Sequence, residues 1–227
     1  MKMKEQDVFF PSKGFQLEGL LNIQEAFSFR RGLVCCHPHP EYGGDMHNAV
    51  VAAAVEAGSS EGYSTLRFNF RGVGRSGGSY EEGIGEREDV AAAVGYLATR
   101  LADCNPSRQG SGDRFTLMGY SFGAWVGLPV AVEDERITAM VAVAPPLGLY
   151  DFGFLKGCRK PKMMIVGEKD MFCPVSLLES WYRGLEEPKE LKIIKDADHF
   201  FFSHHSILVQ TLREFLRTER RGDAGTR

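Results

Sequence analysis

The chain has 227 residues, 43% of them hydrophobic and 25% charged, with a formal net charge of −3. This is the make-up of an ordinary globular protein with a sizeable core, and the length suits one large domain. A nucleic-acid binder would carry a basic face, and a membrane-spanning helix needs about 18 consecutive apolar residues, so neither partner is expected. Five cysteines, with Cys35 and Cys36 adjacent, read as reduced thiols rather than a disulfide framework. The opening residues carry no apolar stretch of the secretory kind, and a cytoplasmic protein is expected.

Short apolar runs alternate with helical patterns along the chain, which predicts an α/β fold with a mostly parallel sheet covered on both faces. Val8–Phe10 and Phe15–Ile23 read as an opening pair of strands, and Gly32–Cys36 as a short buried one. Met46–Gly58 reads as a helix ending at glycine, and Thr65–Phe70 as a strand followed by the glycine-rich loop Arg71–Gly78. Glu86–Ala102 places Val90, Val94, Leu97 and Leu101 at amphipathic helical spacing. Cys104–Asp113 reads as a surface connector, Phe115–Met118 as a strand, and Phe122–Val132 as a helix bent or shortened at Pro129. Ile137–Ala144 and Lys162–Val166 read as buried strands, Pro174–Leu185 as a helix, Leu191–Ile194 as the last strand and Ser206–Arg217 as the last helix. One domain over residues 1–218 and a disordered polar tail over 219–227 are expected.

The pattern G-x-S-x-G occurs three times, and context ranks the copies. Gly58–Gly62 lies between a helix and a strand, the reverse of the order a nucleophile elbow needs, and Gly74–Gly78 sits inside a loop. Gly119-Tyr120-Ser121-Phe122-Gly123 alone joins a strand directly to a helix. A nucleophile on so sharp a turn needs small neighbours two residues to either side. Ser121 as a simple helix N-cap is the plainer reading of the same residues.

A nucleophilic serine needs a base, and the base needs an orienting acid. Asp170 and His199 follow Ser121 in chain order, each just past the carboxyl end of a strand, where open α/β sheets keep their sites. Asp151 is the runner-up acid. His204 and His205 compete for the base, while Asp198 reads as a solvated neighbour. In His37-Pro38-His39-Pro40 the prolines lack N–H groups, so His39 is the best-placed oxyanion donor in that turn, with the N–H of Phe122 as the second.

His37-Pro38-His39-Pro40 with Gly43-Gly44, Phe70-Arg71-Gly72 with Gly74 and Ser76, the Ser121 elbow, Asp170 and His199 together resemble the α/β-hydrolases. The likeness is to small capless bacterial members similar to the dienelactone-hydrolase-like proteins. It covers nearly the whole chain and implies an eight-stranded, mostly parallel sheet with a Ser121–His199–Asp170 triad. Dienelactone hydrolases proper use cysteine where Ser121 stands, so their substrate is not carried over. The connector Ala144–Pro161 leaves no room for a cap, which implies an open site walled by Leu147, Leu149, Tyr150, Phe152, Met171, Phe172 and Phe200, with Tyr120 beside the serine as a further substrate contact. Plain core packing is the alternative role for each.

The expected activity is therefore cleavage of small, accessible carboxylic esters or thioesters through an acyl-serine, without a cofactor. Three alternatives stand beside it. Gly72–Gly77 matches a dinucleotide fingerprint, but no helix opens from its last glycine. His37, His39, Asp45 and His47 could hold a metal for a metal-dependent hydrolase. A non-catalytic binding protein could keep the same fold.

Overall fold

The computed structural model describes residues 5–24, 31–104 and 113–222. Its strands are β1 (Gln6–Ser12), β2 (Phe15–Asn22), β3 (Arg31–Cys36), β4 (Ser64–Phe68), β5 (Arg114–Tyr120), β6 (Ile137–Val143), β7 (Lys162–Gly167) and β8 (Lys189–Ile194). Its helices are α1 (Ala49–Ser60), α2 (Ile84–Cys104), α3 (Phe122–Glu133), α4 (Val175–Arg183) and α5 (His205–Gly222). The strands form one eight-stranded sheet in the order β1-β2-β4-β3-β5-β6-β7-β8. Only β2 runs against the others, since it pairs antiparallel with both β1 and β4.

Alternation along each strand sorts the core into two layers. In β3, Leu33 and Cys35 face α1 and α5, while Val34 and Cys36 face α2 and α3. Strands covered on both faces read as continuous apolar runs, and all six residues of β3 and of β7 are buried. Each fully buried Leu, Val or Phe contributes about 1.5–3 kcal/mol relative to exposure. At the far edge, β8 alternates exposed Glu190 and Lys192 side chains with partly buried residues, charges that discourage edge-to-edge pairing. All five cysteines are free thiols, four of them buried.

Several boundaries differ from expectation for identifiable reasons. α3 runs through Pro129 to Glu133 without interruption. It is buried along most of its length, so packing holds the turn beyond the proline. α1 starts at Ala49, where the Asn48 side chain accepts the Val50 N–H at 2.9 Å. α5 extends to Gly222, which corrects the expected tail: residues 219–222 are helical. The rest of that tail, and most of the expected connector at 104–113, lie outside the described residues. No described helix is long and apolar enough to cross a membrane.

Candidate active site

Ser121 sits at the junction of β5 and α3 with φ 54° and ψ −118°, a backbone conformation costly for any residue but glycine. Its N–H still bonds the Val143 carbonyl at 2.9 Å, so the sheet ladder holds the strained residue in place. The glycines around it are there because backbone comes too close for a side chain. A β-carbon on Gly119 would stand 2.4 Å from Ala124 Cα, and one on Gly123 would stand 2.5 Å from the carbonyl oxygens of Cys36 and His37. The Ser121 side chain makes no capping bond to its helix. Its Oγ instead lies 2.9 Å from His199 Nε2.

His199 Nδ1 lies 2.8 Å from Asp170 Oδ2. The other Asp170 oxygen accepts the N–H groups of Phe172 (2.8 Å) and Cys173 (3.1 Å), which fixes the carboxylate's orientation. Asp170 and His199 are both buried, while Ser121 is partly open. A histidine bonded to serine on one nitrogen and to a buried carboxylate on the other can accept the serine proton and be stabilised as imidazolium. The other candidates are engaged elsewhere. Asp151 is exposed and caps the Gly153 N–H at 2.8 Å. His205 pairs with Glu56, His204 bonds the Phe202 carbonyl, and Asp198 accepts the Phe200 N–H.

The loop after β3 abuts the first turn of α3, with the His39 and Phe122 rings 4.8 Å apart. The N–H of Phe122 belongs to the helical turn that has no carbonyl partner within its own helix. His39 Nδ1 accepts the Glu41 N–H at 3.3 Å, which leaves the ring proton on Nε2, facing the Tyr80 hydroxyl at 3.2 Å. Burial lowers the His39 pKa and pushes that of Tyr80 up to about 12.

His37 has a different role from the metal ligand considered for it. Its Nε2 accepts the Phe70 N–H at 3.0 Å, so the proton sits on Nδ1 and goes to the Pro38 carbonyl at 2.6 Å. Both ring nitrogens are thus taken by backbone, and burial lowers the pKa to about 4. Asp45 likewise accepts the His47 N–H at 2.8 Å. The glycine-rich loop after β4 is anchored by Arg71, buried and paired bidentately with Asp89 at 3.0 and 2.9 Å. α2 begins only at Ile84, so no helix opens from Gly77 to receive a pyrophosphate.

The expected wall divides. The Phe172 and Phe200 rings flank His199 at 4.8 and 5.5 Å, and Tyr150 stacks on Trp125 at 4.2 Å. Leu147 is half-buried against the core, and Leu149 is exposed. Met171 and Phe202 stand 76% and 73% exposed beside the acid and base loops. Two expectations need correction. Phe152 is core, packed on Phe154 and Trp181. Tyr120 is 2% exposed and gives its hydroxyl to the His199 carbonyl at 2.9 Å, so it faces away from the cleft. Strand alternation carried that signal: Met118 and Tyr120 share the α1–α5 face, opposite Phe115 and Leu117.

Comparison with known proteins agrees with this architecture. Residues 39–195 match the model of the X-Pro dipeptidyl-peptidase (S15) family. The chain is 33% identical over 190 residues to the uncharacterized protein RP471 of Rickettsia prowazekii, covering 80% of this chain and 76% of that one. It is 29% identical over 176 residues to the bovine mitochondrial palmitoyl-protein thioesterase ABHD10, covering 75% of this chain but 51% of the relative. Among solved structures, an α/β serine hydrolase homologue from Coxiella burnetii superposes with a TM-score of 0.82 at 30% identity, covering 94% of this chain and 98% of that one. The lidless α/β serine hydrolase XC6422 from Xanthomonas campestris does so at 0.80 and 28%, with 96% of each chain covered. The chain is thus a small, lidless hydrolase of the α/β serine-hydrolase type and belongs to the X-Pro dipeptidyl-peptidase (S15) family.

Proposed function

We propose that the protein cleaves carboxylic ester or thioester bonds of small, accessible substrates through an acyl-Ser121 intermediate. The observation that supports this most is the single imidazole of His199 within hydrogen-bond distance of both Asp170 and Ser121. In the first half-reaction His199 Nε2 takes the Ser121 proton as Oγ attacks the carbonyl carbon. The tetrahedral oxyanion accepts from the N–H groups of His39 and Phe122. The imidazolium, stabilised by Asp170, then protonates the departing alkoxide or thiolate, leaving the acyl group on Ser121. In the second half-reaction His199 deprotonates water, which attacks the acyl carbon, and Ser121 regains its proton as the acid leaves.

The mouth favours apolar acyl groups. Leu149, Met171, Phe200 and Phe202 are exposed around the half-buried Leu147, Tyr150 and Phe172. Burial of such a surface by a substrate contributes about 25 cal/mol per Å². The thioesterase relative makes acyl thioesters a natural member of the class, and the family match makes X-Pro dipeptide anilides the proper contrast.

The test is a panel of nitrophenyl esters, acyl thioesters and an X-Pro anilide, run on wild type and Ser121→Ala. The expected result is ester or thioester turnover that falls several orders of magnitude in the variant. Turnover confined to the anilide would move the reading to a peptidase. A Ser121→Ala loss below tenfold would remove Ser121 as nucleophile. A folded protein that turns over nothing would favour the binding-protein alternative.

A further inference from the structure

His199 reaches Ser121 across a long distance in the sheet. Its loop leaves β8 at Ile194, three strands from β5, and must cross the ends of β7 and β6. The crossing at β7 is tightly made. A β-carbon on Gly167 would stand 2.5 Å from the carbonyl oxygens of Ala197 and Asp198, so only glycine lets the loop lie so low. Lys169 N–H bonds the Ala197 carbonyl at 2.8 Å, and Asp196 N–H bonds Glu168 Oε2 at 3.0 Å. These contacts hold residues 196–198. The main chain of His199 itself is held from the other direction, by the Tyr120 hydroxyl on its carbonyl oxygen at 2.9 Å.

Tyr120 is the residue before Ser121, and this closes a circuit. The Tyr120–Ser121 peptide leads to Ser121 Oγ, which meets His199 Nε2, and the His199 carbonyl returns to the Tyr120 hydroxyl. We propose that Tyr120 is the positioning residue for the base: it ties the main chain of His199 to the elbow and so sets the imidazole between Asp170 and Ser121. This rests on the reading of Ser121, His199 and Asp170 as nucleophile, base and acid. Three features support it. The phenol is 2% exposed and shares its buried cluster with Val143, Ala197 and Phe201, so its hydroxyl has a fixed direction. The ring lies 5.7 Å from the imidazole, tilted 33°. Burial and the negative charges of Asp170 and Asp198 raise the phenol's pKa, which keeps the hydroxyl a donor. A buried carbonyl left without that donor would seek another partner, and the loop would shift to find it.

Tyr120→Phe keeps the ring and its packing and removes the donor alone. The expected result is a folded variant whose kcat falls on the order of 10- to 100-fold, as a displacement of about 1 Å at a reacting group does. KM should stay within about twofold, because Tyr120 does not touch substrate. The rate at which a fluorophosphonate phosphonylates Ser121, with loss of fluoride, should fall in parallel, normalised to folded protein. The far-downfield proton resonance of the His199–Asp170 hydrogen bond should shift or broaden. Tyr63→Phe is the control, since Tyr63 is equally buried and gives its hydroxyl to the Leu216 carbonyl at 3.1 Å, remote from Ser121. It should lower stability without changing phosphonylation or the resonance. Phosphonylation at the wild-type rate and an unmoved resonance in Tyr120→Phe would overturn the positioning role and leave the catalytic reading intact. A folded wild type that is never phosphonylated at Ser121 would overturn the catalytic reading, and this role with it.

Discussion

A β-carbon on Gly123 would stand 2.5 Å from the carbonyl oxygen of Cys36. The first turn of α3 is therefore pressed against the end of β3, which brings the Phe122 N–H toward the loop that carries His39. Gly119 is equally constrained from the other side of Ser121. Gly119→Ala and Gly123→Ala should each destabilise the fold by about 3 kcal/mol or more, since backbone rather than a flexible side chain must give way. Gly95→Ala, in α2 with nothing within 4 Å of the added carbon, should stabilise by about 0.5–1 kcal/mol. Urea unfolding of the three variants checks the contrast.

The acid can be tested against its nearest rival. Asp170→Asn should keep the fold but lower kcat by about 10⁴, because the amide cannot hold the histidine in the tautomer that accepts the serine proton. Asp151→Asn should leave turnover within about twofold, since that carboxylate is exposed and serves a local turn. Parallel kinetics on one ester decide it, and the reverse ranking would make Asp151 the orienting acid.

The loop over residues 71–78 depends on a buried ion pair. Asp89 takes Arg71 bidentately and also accepts the Ser12 hydroxyl at 2.7 Å. Arg71→Met would leave that carboxylate buried without its cation and should cost about 3–5 kcal/mol in urea unfolding. Arg71→Met/Asp89→Leu should recover part of the loss, because an apolar pair leaves no orphaned charge.

His37 should make stability acid-sensitive. Burial holds its pKa near 4, against 6.5 as the ordinary value. Between those limits the unfolded chain binds a proton that the folded protein excludes, so stability falls as pH drops from about 6.5 toward 4. A shift of that size corresponds to about 3 kcal/mol by pH 4. Urea midpoints measured across this range should slope less steeply in His37→Asn than in wild type. Equal slopes would contradict the neutral, buried assignment.

Much of the fold and of the candidate site is legible in the amino-acid order, and the reasons are local. β3 and β7 declare themselves as short apolar runs because both faces are covered. The elbow stands out because strand, tight turn and helix follow without a gap, and Asp170 and His199 stand out because each lies in the loop that follows a strand. What escapes a reading of the sequence depends on partners distant along the chain. α5 continues past Arg217 because Arg213, Arg217 and Arg220 all meet the buried Glu61, an ionic stripe rather than an apolar one. His37 looks like a ligand until the Phe70 N–H, 33 residues away, occupies its ring nitrogen. Tyr120 looks like a substrate contact because it adjoins Ser121, although alternation already turns its ring to the other face.

Ser121 as an activated nucleophile underlies both the proposed hydrolysis and the role given to Tyr120. Labelling with a fluorophosphonate, read by intact mass and peptide mapping on wild type and Ser121→Ala, tests it most directly. One stoichiometric adduct, on Ser121 and absent from the variant, is the expected result. A folded wild type that takes no adduct, or an adduct that survives in Ser121→Ala, would contradict it.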